Sequence, residues 1–305
     1  MKIIVTHTSP DLDAIASVWI IKKFLPDWEG AQVEFVQAGE KNSKLKTQNS
    51  KISEPVETAD RDEYIHVDTG LGPLDHHQFD DETISAASLA LTYVKSQNSN
   101  FNKESIKEKW KSKEKALERM VKIVVDIDHF RDVFWESPTA DYHEFSLSEI
   151  LDGLKLAKPN QDQYYVDFMT EALDALLHNF ENRIWAEEEI SKNGRQFSTK
   201  FGKGIGFESL NDSVLKLAQK MGYAVVVRRD PRKGYVRIKG VPSKDPKNKG
   251  VDLTLVYEKL KKVDPEATWF LHVSKKMLLN GSSKNPAMRP TSLSLGDIIK
   301  VLEGV

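Results

Sequence analysis

His7, Asp11 and Asp13 fall within seven residues, in the run His7-Thr8-Ser9-Pro10-Asp11-Leu12-Asp13. Asp75, His76 and His77 form a second dense group, with Asp68 seven residues before it. Asp126-Ile127-Asp128-His129 makes a third. Carboxylate oxygen and imidazole nitrogen together suit Mn, Fe, Co or Zn better than Ca. The chain has no cysteine, so any metal site must use these donors. Two such groups meeting in space could hold two divalent cations, an arrangement suited to cleaving a phosphoester. Singly, each has an ordinary alternative: Asp13 could merely cap a helix, and the others could be polar turns. Adjacent histidines point different ways. One of His76 and His77 is therefore expected to ligate, and the other to bond outward or touch substrate.

For these groups to meet, the elements before them must end together. Residues 2–6 predict a buried strand that delivers His7 to the carboxyl edge of a sheet, where open α/β sheets bind ligands. A helix is predicted over 13–24, with Ala14, Ile15, Val18, Trp19 and Ile21 apolar and Pro26 closing the region. Asp13 at its start is favoured by the helix dipole. Residues 33–36 and 64–67 predict further strands, the latter ending in Asp68 and the turn Thr69-Gly70. His66 within it reads as structural. The polar stretch 41–63 reads as a loop or weak element. Helices are predicted over 83–94, capped by Thr83 or Ser85, and over 103–124, 146–156 and 162–190. The apolar run Ile123-Val124-Val125 precedes the third acidic group. Trp110 and Trp185 read as core. Strands alternating with helices argue for an α/β fold, a parallel sheet with crossover helices.

The composition shifts near Lys192-Asn193-Gly194. The expected domains are 1–192, a metal-binding domain with a helical extension, and 193–305, a smaller α/β or α+β domain. The second should hold strands at 196–201, 223–228, 235–239 and 268–273, and helices at 212–221, 251–262 and 295–302. Gly202-Lys203-Gly204-Ile205-Gly206 lacks phosphate-loop spacing and reads as a flexible connection. Arg228-Arg229-Asp230-Pro231-Arg232-Lys233-Gly234 reads as a basic hairpin tip, and Asp245 to Gly250 as a turn-rich loop. From Gly222 onward there are 17 Lys+Arg and 8 Asp+Glu, a net of +9, against 27 and 38 before it, a net of −11. An acidic front suits metal binding and a basic back suits an anionic substrate. Gly281, Ser282 and Ser283 would let backbone N–H groups approach an anion, with charge from Lys284, Lys275 and Lys276. With 39% apolar and 30% charged residues, the chain fits a globular protein of one large or two domains. It has no apolar stretch near the ~20 residues of a membrane span and no signal-peptide core. A cytoplasmic protein without a membrane partner is the expectation.

Taken in order, His7-x3-Asp11-x-Asp13, Asp68, Asp75-His76-His77 and Asp126 resemble the four motifs of the DHH phosphoesterase superfamily. Pro10 and Ala14-Ile15 match its first motif too, and the resemblance covers roughly residues 1–135. It implies a two-metal site, usually Mn²⁺. His7, Asp11 and Asp68 would hold one metal. Asp13, Asp68, His76 and Asp126 would hold the other, with Asp128 the alternative to Asp126 and Asp68 bridging. His77 would sit beside the substrate phosphate, and His77 and Asp75 are the catalytic candidates. The Gly-Gly-Gly-His loop of many nucleic-acid-cutting members is missing. Instead Trp269-Phe270-Leu271-His272, the segment from Lys276 to Ser283, and Gly240-Val241-Pro242 resemble the melanocyte-proliferating-gene family of DHH-like RNA exonucleases. Val273-Ser274-Lys275-Lys276 resembles the basic motif of manganese-dependent inorganic pyrophosphatases, of the same superfamily. The expected function is hydrolysis of phosphodiester bonds in short RNA or DNA. The alternatives are a small-molecule phosphatase, such as a pyrophosphatase or cyclic-dinucleotide phosphodiesterase, and a non-catalytic phosphate- or nucleic-acid-binding protein of the same fold.

Overall fold

The computed structural model describes residues 1–45, 54–99, 104–245, 250–281, 285 and 287–305. The chain divides into two compact units, Met1–Glu181 and Asn182–Val305. In the first unit β1 (Lys2–His7), β2 (Gln32–Val36), β3 (Val56–Ala59) and β4 (Asp62–His66) form one sheet, ordered β2-β1-β4-β3. β1 runs parallel to β2 and β4. β3 pairs antiparallel with β4, inside the stretch read as a loop or weak element. Asp60 and Arg61, at its turn, both have positive φ, the conformation whose twist suits a two-residue hairpin. Neither is the glycine that usually announces such a turn.

α1 (Leu12–Phe24) crosses from β1 to β2, and every residue from Leu12 to Ile21 is buried. Burial on every face encloses the helix on all sides, with Asp13 and Ser17 among the residues taken inside. α2 (Ala86–Ser99) and α3 (Glu104–Asp128) pack against it. Phe24 meets Trp19 and Trp110 edge-on, at 5.5 and 5.6 Å between ring centres. α4 (Leu147–Ala157) and α5 (Asp162–Asn193) follow. Asp174 of α5 accepts from Trp19 Nε1 at 2.7 Å and Lys23 Nζ at 2.6 Å, tying that helix to α1.

The register of β1 and β4 decides where chemistry can gather. Val5 lies opposite His66, and Val67 N–H continues the ladder to Val5 O at 2.9 Å. Both strands therefore finish at one edge of the sheet, and the turn beyond Val67 brings Asp68 alongside His7.

In the second unit β5 (Arg195–Thr199), β6 (Gly202–Glu208), β7 (Val225–Arg229), β8 (Val236–Gly240), β9 (Trp269–Leu271) and β10 (Met277–Asn280) form a sheet ordered β5-β6-β7-β8-β10-β9. β6 and β7 are parallel, joined through α6 (Ser213–Lys220), and the other pairs are antiparallel. Alternation along the strands sorts two cores. Val225, Val227, Val236 and Ile238 pack with Val256 and Leu260 of α7 (Thr254–Val263) and with Leu295, Ile298 and Leu302 of α8 (Leu295–Glu303). Val226, Ile205 and Phe207 face α6 instead. Ala186 and Ile190 join this second core, so the last turns of α5 pack with the second unit. The division accordingly falls inside α5, before the expected position at 192. Trp185, on those turns, is 39% exposed, not core.

The glycine-rich segment read as a flexible connection is the strand β6. A Cβ on Gly204 would stand 2.3 Å from the Phe197 ring, so the glycine lets the neighbouring side chain lie over the backbone. The basic segment between β7 and β8 is a hairpin tip as expected, organised by Asp230 Oδ1 accepting from the N–H groups of Arg232 and Lys233. Residues 246–249 of the expected turn-rich loop lie outside the described residues. Among the described residues no helix is long and apolar enough to cross a membrane.

Candidate metal centre

β1 ends in His7, and Asp11 then caps α1 by accepting from Ala14 N–H at 2.9 Å. Asp13 lies in the first turn of α1 and is buried. Its carboxylate reaches across to α2, accepting from Ser85 Oγ at 2.6 Å, Ala86 N–H at 2.8 Å and Ala87 N–H at 2.9 Å. Ser85 is the N-cap residue of α2, its C=O accepting from Leu89 N–H at 3.0 Å, but the side chain that caps the first N–H groups is that of Asp13. Three donors and a helix N-terminus hold Asp13 in one orientation.

Asp68 is the hub. It is buried and sits in the left-handed region at φ 54°. Its Oδ2 lies 3.3 Å from His7 Nε2, which is also 4.0 Å from Asp11 Oδ2. Its Oδ1 lies 3.5 Å from both His76 Nδ1 and His77 Nδ1. His76 Nδ1 is 3.8 Å from Asp13 Oδ2. One oxygen of Asp68 therefore faces the His7 group and the other faces the histidine pair. Asp75 is buried; its Oδ2 accepts from Leu71 N–H at 2.7 Å and its Oδ1 from His77 N–H at 3.1 Å. The same Oδ1 stands 2.8 Å from His77 Nδ1 and fixes that ring, whose side chain is 58% exposed. His66 is structural as expected, its Nε2 accepting from Asn42 N–H at 3.0 Å.

The third acidic group lies at the end of α3, whose last turn carries Asp126 and Asp128. Residues two apart on a helix point about 200° apart, so Asp126 and Asp128 cannot share a face. Asp128 faces the centre, its Oδ2 3.1 Å from His76 Nε2 and 3.8 Å from His129 Nε2. Asp126 pairs with Arg131 at 3.1 Å and lines a separate pocket with Lys95 and Glu118. Of the two candidates, Asp128 therefore stands with the clustered donors and Asp126 does not.

The centre opens into a cavity of about 550 Å³ lined by Asp11, Asp13, His76, His77, Asp128 and His129, with Phe130, Asp132, Glu149 and Asp152 beyond them. Ser85 and this outer wall are not among the residues that the sequence alone nominates for the centre. His129 directly follows Asp128 in the third acidic group, which is a local signal. Glu149 and Asp152 of α4 carry none.

Charge crowding dominates the centre. Burial, then the charges of Asp68 and Asp128, hold the Asp13 carboxyl well above the usual carboxylate range. Burial and Asp68 likewise raise Asp11. Burial works to lower His7, but its bond to Asp68, the Thr8 carbonyl and the charge of Asp11 outweigh it and push it up to about 9. Asp128 is the main cause that raises His76 to about 9. Asp68 Oδ1, His76 Nδ1 and Asp128 Oδ2 are buried without a hydrogen-bond partner. Enclosed, unpartnered donor atoms and carboxyls pushed up by burial and by their neighbours' charge fit a site that would receive positive charge. The oxygen and imidazole set fits divalent cations of the Mn, Fe or Zn kind.

In the second unit, Lys275 Nζ lies 3.7 Å from Asp252, and Lys276 Nζ donates to Val251 O at 3.1 Å. Gly281 has φ 73°, and a Cβ there would stand 2.1 Å from the Tyr235 ring, so both backbone and packing call for glycine here. Ser282, Ser283 and Lys284 lie outside the described residues.

No family model and no curated protein matches the chain. Solved structures similar to it include the DHH domain of a member of a family of ribosomal proteins, at 9% identity over 99% of this chain and 85% of that one, TM-score 0.32. An uncharacterized protein from Helicobacter pylori G27 is 14% identical over 100% and 99%, TM-score 0.25. A pGpG-specific phosphodiesterase from Vibrio cholerae is 12% identical over 94% of each, TM-score 0.23. At scores this low, what those proteins do has no bearing on this one, and the site must speak through its own geometry.

Proposed function

We propose that this chain is a metal-dependent phosphoesterase of the DHH type that hydrolyses phosphodiester bonds in short oligonucleotides. The observation that carries the reading is Asp68, with one carboxylate oxygen in each of two ligand groups. His7, Asp11 and Asp68 would hold one cation. Asp68, His76, Asp128 and Asp13 would hold the second, Mn²⁺ being the metal we expect. Bound there, the cations would lower the pKa of a water and polarise a phosphoryl oxygen. His77 would present its free ring nitrogen to the phosphate, and Asp75 would fix its tautomer by accepting from Nδ1–H. Asp13, held by α2, would keep the second group in register.

Charge favours a diester over pyrophosphate. Among the described residues lining the cavity there is no Lys or Arg, while Asp132, Glu149 and Asp152 add to the ligand carboxylates. A multiply charged small anion would be repelled there, and a diester carries a single charge at the scissile phosphate. The net +9 from Gly222 onward is the charge expected of a segment that attracts a nucleic-acid chain.

The test is a panel of dinucleotides, short RNA, short DNA, cyclic dinucleotides and pyrophosphate in Mn²⁺, with Asp68→Ala alongside. We expect diester turnover by the wild type and its loss by at least about 1,000-fold in the variant, the scale of removing a group that acts with the rest of a catalytic unit. Turnover that survives in Asp68→Ala would sink the two-metal reading, and turnover of pyrophosphate alone would move the function to a phosphatase.

A further inference from the structure

Phe130 breaks a local rule. α3 ends at Asp128, and Phe130 stands two residues on, with its N–H donating to Ile127 O at 2.9 Å and φ at 55°. That left-handed position after a helix is normally glycine or asparagine, because a Cβ there crowds the backbone. A bulky aromatic is a costly choice for ending a helix. Packing does not explain it, since the side chain is 78% exposed. What the position does achieve is placement: Phe130 lines the same cavity as Asp13, His76, His77 and Asp128. The rest of that wall is acid and imidazole, apart from Leu12, Val124, Ile127, Ser148 and Leu151. A locally unfavourable residue without a gain for the fold marks a functional demand.

We propose that Phe130 is the stacking platform for a nucleobase of the substrate. The inference rests on the phosphodiesterase reading and names a specificity residue for it. An exposed aromatic face binds any base through stacking, which is tolerant of sequence. The end of α3 and the residues just beyond it then carry both functions: Asp128 faces the clustered donors, and Phe130 offers a surface to the group beside the scissile bond. A substrate with a base would be preferred over a bare phosphoester, although both would meet the same ligands.

The experiment uses the full chain in Mn²⁺ with two substrates, a dinucleotide and its analogue lacking the base on one nucleoside. Phe130→Asn keeps the left-handed backbone and removes the ring, whereas Phe130→Trp keeps a ring. We expect Phe130→Asn to raise KM for the dinucleotide about 10–100-fold with kcat nearly unchanged, to leave the abasic analogue unaffected, and Phe130→Trp to restore binding. A second readout is independent of turnover: an uncleavable dinucleotide carrying 2-aminopurine should lose fluorescence on binding to the wild type but not to Phe130→Asn. An unchanged KM, an equal loss on both substrates, or the absence of quenching would overturn the stacking role. Quenching by the wild type without turnover of either substrate would leave the platform standing and overturn the hydrolytic reading.

Discussion

Asp126 and Asp128 are the same side chain two positions apart, and the helix gives them opposite duties. Asp128 sits 3.1 Å from His76 with an orphaned buried oxygen, whereas Asp126 is neutralised by Arg131. We expect Asp128→Asn to weaken Mn²⁺ binding by more than about tenfold, and Asp126→Asn to leave it unchanged, in isothermal titration calorimetry. Equal losses would return Asp126 to the ligand set. The histidine pair divides labour similarly. His76 is mostly enclosed between Asp68 and Asp128, while His77 is exposed and held by Asp75. Two adjacent imidazoles of identical intrinsic chemistry thereby acquire one buried and one solvent-facing role.

Strands bring the first two groups together, and a helix end brings the third. The parallel register of β1 and β4 is sufficient to place His7 and Asp68 side by side, since both chains leave the sheet at one edge. α2 is positioned by the Asp13 carboxylate at its N-terminus, so the element and the candidate centre share a residue. In the second unit the critical contacts are glycines under aromatic rings. Gly204→Ala would drive a Cβ into Phe197 in a strand with both faces covered. We expect a loss of about 1–3 kcal/mol in urea denaturation. An unchanged midpoint would mean the Phe197 ring is free to move aside.

The molecule as a whole should feel the crowding at its centre through pH. His7 and His76 are raised to about 9 from 6.5, so the protonated form is the one the metal-free fold prefers. Their contribution is complete below pH 6.5 and disappears as pH rises through 9. Asp13, also raised by burial, acts with the same sign, because the native state holds its proton longer than the unfolded chain does. We therefore expect the melting temperature of the EDTA-treated protein to fall between pH 6.5 and 9, and Mn²⁺ to raise it and flatten that slope. A flat profile in EDTA would show that the carboxylates relax apart once unbalanced. Residue type and hydrophobic period are local properties. The donor inventory, its order, and most of the strands and helices that carry it were therefore legible in the amino-acid order alone, with His7, Asp11, Asp68, Asp75, His76 and His77 among the residues found that way. The choice between Asp126 and Asp128 was not legible. Neither were the cap that Asp13 places on α2, the acidic wall from α4, or β6 behind its glycines. Each of those depends on which face of one element meets another distant in sequence, and only the packed chain decides that.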